Sequence, residues 1–265
     1  MAKDELINKF NYIGTRPNRP DGLDKVTGRA KYGADFNAPN MLHAAVLRSP
    51  HAHARIIKID TSKAEALSGV KAFVTRADFP TGLKGEDFYL QENTIAGDRA
   101  LYDGHAVAAV AATSALAAKD AIKLIEVEYE ILPHVTDVDE AMRPDAPVIR
   151  KGAQDHTVPE GSPPNIVSYM DFGHGDLETG FSDADLIMEN TYKTEAAHQG
   201  YIEPHACVGQ LGQDGKGEMW ICTQGQWFIR KMCTAVLGLE ASQLRVTPSE
   251  IGGGFGGKTT IFSEA

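Results

Sequence analysis

Alternation and periodicity divide the chain into short elements. Residues 42–47 and 54–60 mix apolar and polar side chains as strands do when one face is buried, and 70–75 repeat the pattern. Between the last two, 61–67 carries a helical spacing that Gly69 stops. The apolar run 105–112 is followed by Thr113, a suitable helix N-cap. Beyond it Leu116, Ala117, Ala121, Leu124 and Ile125 fall on one side of a helix. Residues 126–131 alternate charged and apolar positions, the period of a half-buried strand. Strand, helix and strand in succession predict a β-α-β unit here. Downstream, 165–172, 185–194, 206–211 and 218–223 read as strands, with a hairpin turn at 213–217 between the last two. A helix over 226–237 distributes Trp227, Ile229, Arg230, Cys233 and Val236 around its surface and stops at Gly238. Residues 244–247 form a short strand that runs into a glycine-rich segment.

Two stretches break every periodicity. Residues 11–41, with Pro17, Pro20, Gly22, Gly28 and Gly33, read as an extended leader rather than a helix. Residues 151–164, KGAQDHTVPEGSPP, have the composition of a linker. The expected organisation is an extended leader over 1–23, a domain over 24–140, a linker over 141–164 and a second domain over 165–265. A chain of 265 residues accommodates two ordinary domains. The mixture of strands and helices makes the fold class α+β.

Composition then removes several functions. Hydrophobic residues at 42% and charged residues at 23% describe a globular chain. A net charge of −10 argues against nucleic acid, which requires clustered Lys and Arg. The first residues, with Asp4 and Glu5, offer no apolar run for a signal peptide, and no later stretch approaches a membrane span, so a cytoplasmic location is expected. Cys207, Cys222 and Cys233 include no CxxC pair and fall short of the four thiolates of an iron–sulfur cluster. Any such cluster is expected on another chain.

The densest unusual sequence is 251–258, IGGGFGGK, where five of eight residues are Gly around Phe255. Such a segment lets backbone approach a ligand closely and adopt positive φ, although a surface loop has the same composition. It also fits G-x-G-x-x-G through Gly252, Gly254 and Gly257. A dinucleotide fingerprint, however, needs a following helix and an acidic residue about 20 positions on. Only eight residues follow Gly257. Thirty residues earlier, Gln224 and Gly225 sit between a strand and a helix. An amide there can donate one hydrogen bond and accept another, which suits an oxo ligand or a polar cofactor, or simply caps the helix. His198, Glu203 and His205 have the ligand types of a two-histidine, one-carboxylate metal site, yet structural hydrogen bonding at a strand end is the preferred reading. His51 and His53 beside Arg55 are read as strand surface polarity, and Cys222 and Cys233 as small buried apolar groups.

Taken together, Cys222-Thr223-Gln224-Gly225, a helix, Leu244-Arg245-Val246 and then Gly252 to Lys258 resemble the large subunits of molybdenum hydroxylases, the xanthine dehydrogenase and aldehyde oxidoreductase family. The resemblance takes in residues 24–32 (DKVTGRAKY), 48–54 (RSPHAHA), 127–133 (VEYEILP) and 198–205 (HQGYIEPH), and covers the chain from about residue 14 onward. It implies an α/β hammerhead-like domain followed by the start of a molybdenum-cofactor-binding domain. By the same resemblance Gln224 is the amide that hydrogen-bonds an oxo ligand of molybdenum. Gly225, Gly253, Gly254, Phe255, Gly256 and Gly257 line the cofactor, and the Phe255 ring borders the substrate pocket with Thr259. The catalytic residues so implied are Gln224 and Phe255, with no direct metal ligand.

The implied activity is hydroxylation of a carbon of an aldehyde or a (hetero)aromatic substrate with oxygen from water. Electrons leave through the pterin to [2Fe-2S] and FAD groups on partner subunits. Thr259 stands where purine-oxidising relatives carry Glu, which points away from a purine. The family's general-base Glu and most of its pterin-binding backbone lie downstream of this glycine loop. Either a further chain carrying that half of the molybdenum domain shares a molybdopterin, in its dinucleotide form, with this one, or the sequence is a truncated product. The alternative is a non-catalytic scaffold or assembly subunit that keeps the fold without the cofactor.

Overall fold

The computed structural model describes residues 10–265. The first nine, which carry the expectation that no signal peptide is present, lie outside the described residues. The strands are β1 (His43–Arg48), β2 (Ala54–Asp60), β3 (Val70–Thr75), β4 (Arg99–Ala100), β5 (Ala106–Ala112), β6 (Glu126–Ile131), β7 (Cys207–Leu211), β8 (Gly217–Ile221) and β9 (Leu244–Pro248). The helices are α1 (Gly22–Thr27), α2 (Ser62–Glu65), α3 (Gly85–Thr94), α4 (Ala115–Lys123), α5 (Val138–Ala141), α6 (Leu177–Ser182) and α7 (Gln226–Leu237). The strands form three sheets, ordered β1-β5-β3, β4-β2-β6 and β7-β8-β9.

β5, AVAAVAA, is the central strand of its sheet, antiparallel to β1 and β3. Its small side chains let the amphipathic α4 lie close, so Ala108, Val110, Ala121 and Ile125 share one core with Ala64. The Ser114 hydroxyl accepts the Ala117 N–H at 3.1 Å, so Ser114, one residue beyond the expected Thr113, is the N-cap of α4. The expected β-α-β unit does not form. Both edges of β5 are already taken by β1 and β3, so β6 pairs antiparallel with β2 in the second sheet.

The parallel unit is instead β8-α7-β9. A twelve-residue helix connects the two strands, and Gly238 ends it in the left-handed conformation at φ 66°. Ile229 and Cys233 of α7 pack on Met219, Ile221 and Leu244. Cys222 and Cys233 are buried, as expected of small apolar groups. The two halves meet where the buried Gln91 of α3 donates through Nε2 to the Val236 carbonyl at 2.8 Å.

Several expectations fail for want of a partner or of a local signal. Residues 165–172 and 185–194 join no ladder, because an alternating segment becomes a strand only beside another strand. The leader is not wholly extended, since α1 forms within it and stops at Gly28. α3 has little amphipathic pattern and escaped the periodic reading. His53 is buried rather than displayed on a strand surface, and its Nδ1 lies 2.7 Å from the Pro133 carbonyl.

His105, fully buried before β5, accepts the Leu101 N–H on Nδ1 at 3.1 Å. Burial pushes its pKa down to about 4. In the unfolded chain the imidazole takes up its proton near pH 6.5, while the folded protein holds it neutral. Its contribution to stability is therefore complete above that range and is lost as pH falls toward 4. Urea unfolding at pH 7 and pH 5 should show wild type losing more stability on acidification than His105→Gln, by on the order of 1–2 kcal/mol. Parallel pH profiles of the two proteins would disprove the assignment.

Candidate functional site

Because β8 and β9 run parallel, their carboxyl ends open on one edge of the sheet, where ligands of such units generally sit. Gln224 leaves β8 just before α7, and the glycine segment leaves β9 after Pro248. The two are brought into direct contact. The side-chain Oε1 of Gln224 accepts the Gly256 N–H at 3.0 Å and the Lys258 N–H at 3.3 Å. Its own backbone N–H donates to the Lys258 carbonyl at 2.9 Å, and the Thr223 hydroxyl donates to the same carbonyl at 3.0 Å. The exposed Gln224 Nε2 donates to no group among the described residues.

The loop is a tight turn closed by Gly257 N–H donating to the Gly254 carbonyl at 2.7 Å. Phe255 adopts φ 48°, a left-handed conformation that costs a non-glycine residue about 1–3 kcal/mol and is kept only where neighbours enforce it. Here the hydrogen bonds that the Gly256 and Lys258 N–H groups donate to Gln224 do so, and the ring stays 73% exposed. A Cβ at Gly254 would lie 2.5 Å from Gln224 Oε1, so a side chain there would push Gln224 out of its hydrogen bonds with the loop. Gly252 is equally constrained, since its Cβ would meet Glu203 Cβ at 2.6 Å. Gly225 accepts the Ile229 N–H and so begins α7, while the Thr259 hydroxyl donates to the Gly256 carbonyl at 2.8 Å. Gln224, Gly225, Gly253, Gly254, Phe255, Gly256, Gly257 and Thr259 thus share one edge of the fold.

Beneath this surface lies an ion pair that sequence reading passed over. Lys258 is 1% exposed, and its Nζ lies 2.7 Å from Glu203 Oε2 and 3.0 Å from the Glu203 carbonyl. It also sits 4.8 Å from the centroid of the Tyr201 ring. Glu203 Oε2 accepts the Gly252 N–H at 2.7 Å and Oε1 accepts the Gly33 N–H at 3.2 Å. Glu250 N–H donates to the Lys31 carbonyl at 3.0 Å, and Lys25 pairs with the Glu250 carboxylate at 2.7 Å. The leader, the 198–205 segment and the glycine loop are therefore one hydrogen-bonded unit.

Glu203 is thus committed to Lys258, and no three metal-ligating side chains gather among the described residues. His205 Nε2 instead lies 2.7 Å from the Tyr201 hydroxyl, which is 3.2 Å from His198 Nε2. Burial, with Lys258 nearby, pushes the His205 pKa down. Burial also pushes the Cys207 thiol up to about 12 and Cys233 to about 11, so neither supplies a thiolate near neutral pH. A separate apolar cavity of about 200 Å³ lies between Val46, Ile95, Val236 and Phe262; none of the site residues lines it.

Two family models match the chain. One, described as the a/b hammerhead domain of aldehyde oxidase and xanthine dehydrogenase, matches residues 27–133. The other, described as a molybdopterin cofactor-binding domain, matches residues 158–265. A probable xanthine dehydrogenase subunit of Bacillus subtilis is 35% identical over 97% of this chain and 32% of its own length. The large molybdopterin subunit of Eubacterium barkeri nicotinate dehydrogenase is 31% identical over 98% of this chain and 58% of its own. The solved CO dehydrogenase of Oligotropha carboxidovorans superposes with a TM-score of 0.78 at 31% identity, over 100% of this chain and 34% of that one. The chain therefore spans between a third and three fifths of the length of these relatives.

Replacing Lys258 by Met leaves Glu203 charged, buried and unpaired. The expected loss is about 3–5 kcal/mol of unfolding free energy. Glu203→Gln combined with Lys258→Met should recover much of that, because no buried charge is then left alone. Equal stability of wild type and Lys258→Met in denaturant titrations would show that the pair is not buried as described.

Proposed function

This chain belongs to the xanthine dehydrogenase and aldehyde oxidoreductase family of molybdenum hydroxylases, with its hammerhead domain and the start of its molybdopterin-binding domain, and on that premise we propose that it builds one wall of a molybdopterin site. The observation that carries this reading is the contact of Gln224 with the glycine loop. Its carbonyl end is committed to Gly256 and Lys258, which leaves Nε2 available as a donor to an acceptor outside the chain. The residues present fit such a group: side-chain-free backbone at Gly254, where a Cβ has no room, borders an exposed amide and an exposed aromatic ring.

When bound, the molybdenum cofactor supplies the redox chemistry that hydroxylates a carbon with oxygen from water. This chain's part is to bind and orient. Gln224 donates toward an oxo acceptor from a fixed direction, since its other end is tied down. Gly253, Gly254, Gly256 and Gly257 keep the main chain close, and Phe255 with Thr259 borders the substrate. We take the substrate as an aldehyde or (hetero)aromatic compound. The cofactor is read as the dinucleotide form, held between this chain and the remaining length of the large subunit that its relatives carry. Partner subunits carrying [2Fe-2S] and FAD groups would take up the electrons. The domain boundary is proposed within 141–164 and the location as cytoplasmic. Among the described residues no helix is long and apolar enough to cross a membrane.

Gln224→Ala in the assembled enzyme should lower turnover by about 10- to 100-fold with little change in the thermal melt, as removal of an orienting hydrogen bond does. Metal analysis of the complex purified through this chain should return stoichiometric molybdenum. A stoichiometric complex without molybdenum or pterin would leave the scaffold reading in its place.

A further inference from the structure

One side chain of the 198–205 segment meets the glycine loop at three places. A Cβ built on Gly253 would lie 3.1 Å from Tyr201 Cβ, and one built on Gly257 would lie 2.8 Å from Tyr201 Cε1. The Lys258 Nζ stands 4.8 Å from the centroid of the same ring. Both ends of the turn therefore rest on Tyr201 with no side chain between. Gly256 differs: a Cβ there would meet nothing within 4 Å, and its φ of 88° is what calls for glycine. A run with five glycines holds no single conformation by itself, so its path must be imposed by what lies against it.

The ring is in turn held by its hydroxyl, which lies 2.7 Å from His205 Nε2 and 3.2 Å from His198 Nε2. The direction of these two bonds is fixed. His198 Nδ1 accepts the Gly200 N–H at 3.0 Å, so the proton of that neutral ring is on Nε2 and is donated to the Tyr201 oxygen. The phenol proton is then donated to His205 Nε2, and the His205 ring proton sits on Nδ1, a buried atom without a partner among the described residues. Burial, with Lys258 nearby, favours the neutral His205 that this arrangement requires.

We propose that Tyr201 is a positioning residue: its ring, oriented through the hydroxyl by His198 and His205, sets where the 253–257 turn stands and so where the loop's main chain and Gln224 meet the cofactor. The inference rests on the proposed reading of a molybdopterin site at this edge. The Glu203–Lys258 pair fixes the end of the loop, and the Tyr201 ring fixes its path. His198 and His205 thereby have a role that is not metal ligation. They hold the support of the loop rather than the group the loop faces.

Tyr201→Phe in the assembled enzyme keeps the ring and removes the tether. Amides of 253–258, followed by hydrogen exchange and mass spectrometry, should then exchange at least about tenfold faster. The kcat per bound molybdenum should fall about tenfold with KM changed less than about twofold, and the EPR signal of the bound molybdenum should shift. His198→Ala, at an exposed position, removes one of the two bonds and should move the same readouts in the same direction by less, so it carries the test if Tyr201→Phe does not assemble. A purely structural role would lower the melting temperature and the molybdenum content while leaving kcat per molybdenum and the EPR signal as in wild type, and that result overturns the inference. Wild-type exchange of the loop in molybdenum-loaded Tyr201→Phe also overturns it and leaves the cofactor reading standing. A wild-type enzyme that holds no molybdenum, with a loop that loosens on Tyr201→Phe, does the reverse.

Discussion

The arrangement of the site depends on one buried charge pair. Lys258 and Glu203, taken out of water, each cost several kcal/mol of lost hydration. That cost is met only because every polar atom involved is used: the ammonium by a carboxylate oxygen, a carbonyl and the face of Tyr201, and the carboxylate by the N–H groups of Gly252 and Gly33. Three stretches that are remote in sequence are thereby pinned to one point. A pair of this kind confers definition rather than raw stability. It allows the leader, the 198–205 segment and the glycine loop only one mutual arrangement.

From that anchor the exposed surface follows. With Lys258 held by its side chain, its backbone N–H and carbonyl are both presented to Gln224, and the glycine run between 252 and 258 must double back in a short turn. The hydrogen-bonded position of Gln224 leaves no space for a side chain at Gly254, and Phe255 takes a left-handed conformation in the turn with its ring outward. An outward aromatic, a half-free amide and bare main chain destabilise an idle loop, yet they suit a surface against which a polar group with an apolar neighbour is held. The parallel pairing of β8 and β9 matters as much, because it alone brings the ends of both strands to the same edge.

Residues 168–200, by contrast, bury no side chain. The contrast is physical. The glycine loop has its Gly252, Gly256 and Lys258 N–H groups taken up by Glu203 and Gln224, whereas residues 185–197 pair no main-chain group with another among the described residues.

Much of this was legible in the order of residues alone. The bounds of β2, β3, β6 and α7 coincide with alternation, helical spacing and a terminal glycine, because those signals arise from neighbours in sequence. The pairing of Gln224 with a glycine-rich turn was legible through resemblance, and the contact between them bears out their proximity. What remained hidden was non-local. That β5 and β6 separate into different sheets depends on β1 and β3 occupying both edges of β5, which no periodicity records. Segments 165–172 and 185–194 alternate like strands yet form none, since a ladder is a property of two strands and not of one. Lys258 ended a motif in sequence and became a buried cation only when folding brought Glu203 from 55 residues away, because burial and charge pairing are decided by what surrounds a residue in space.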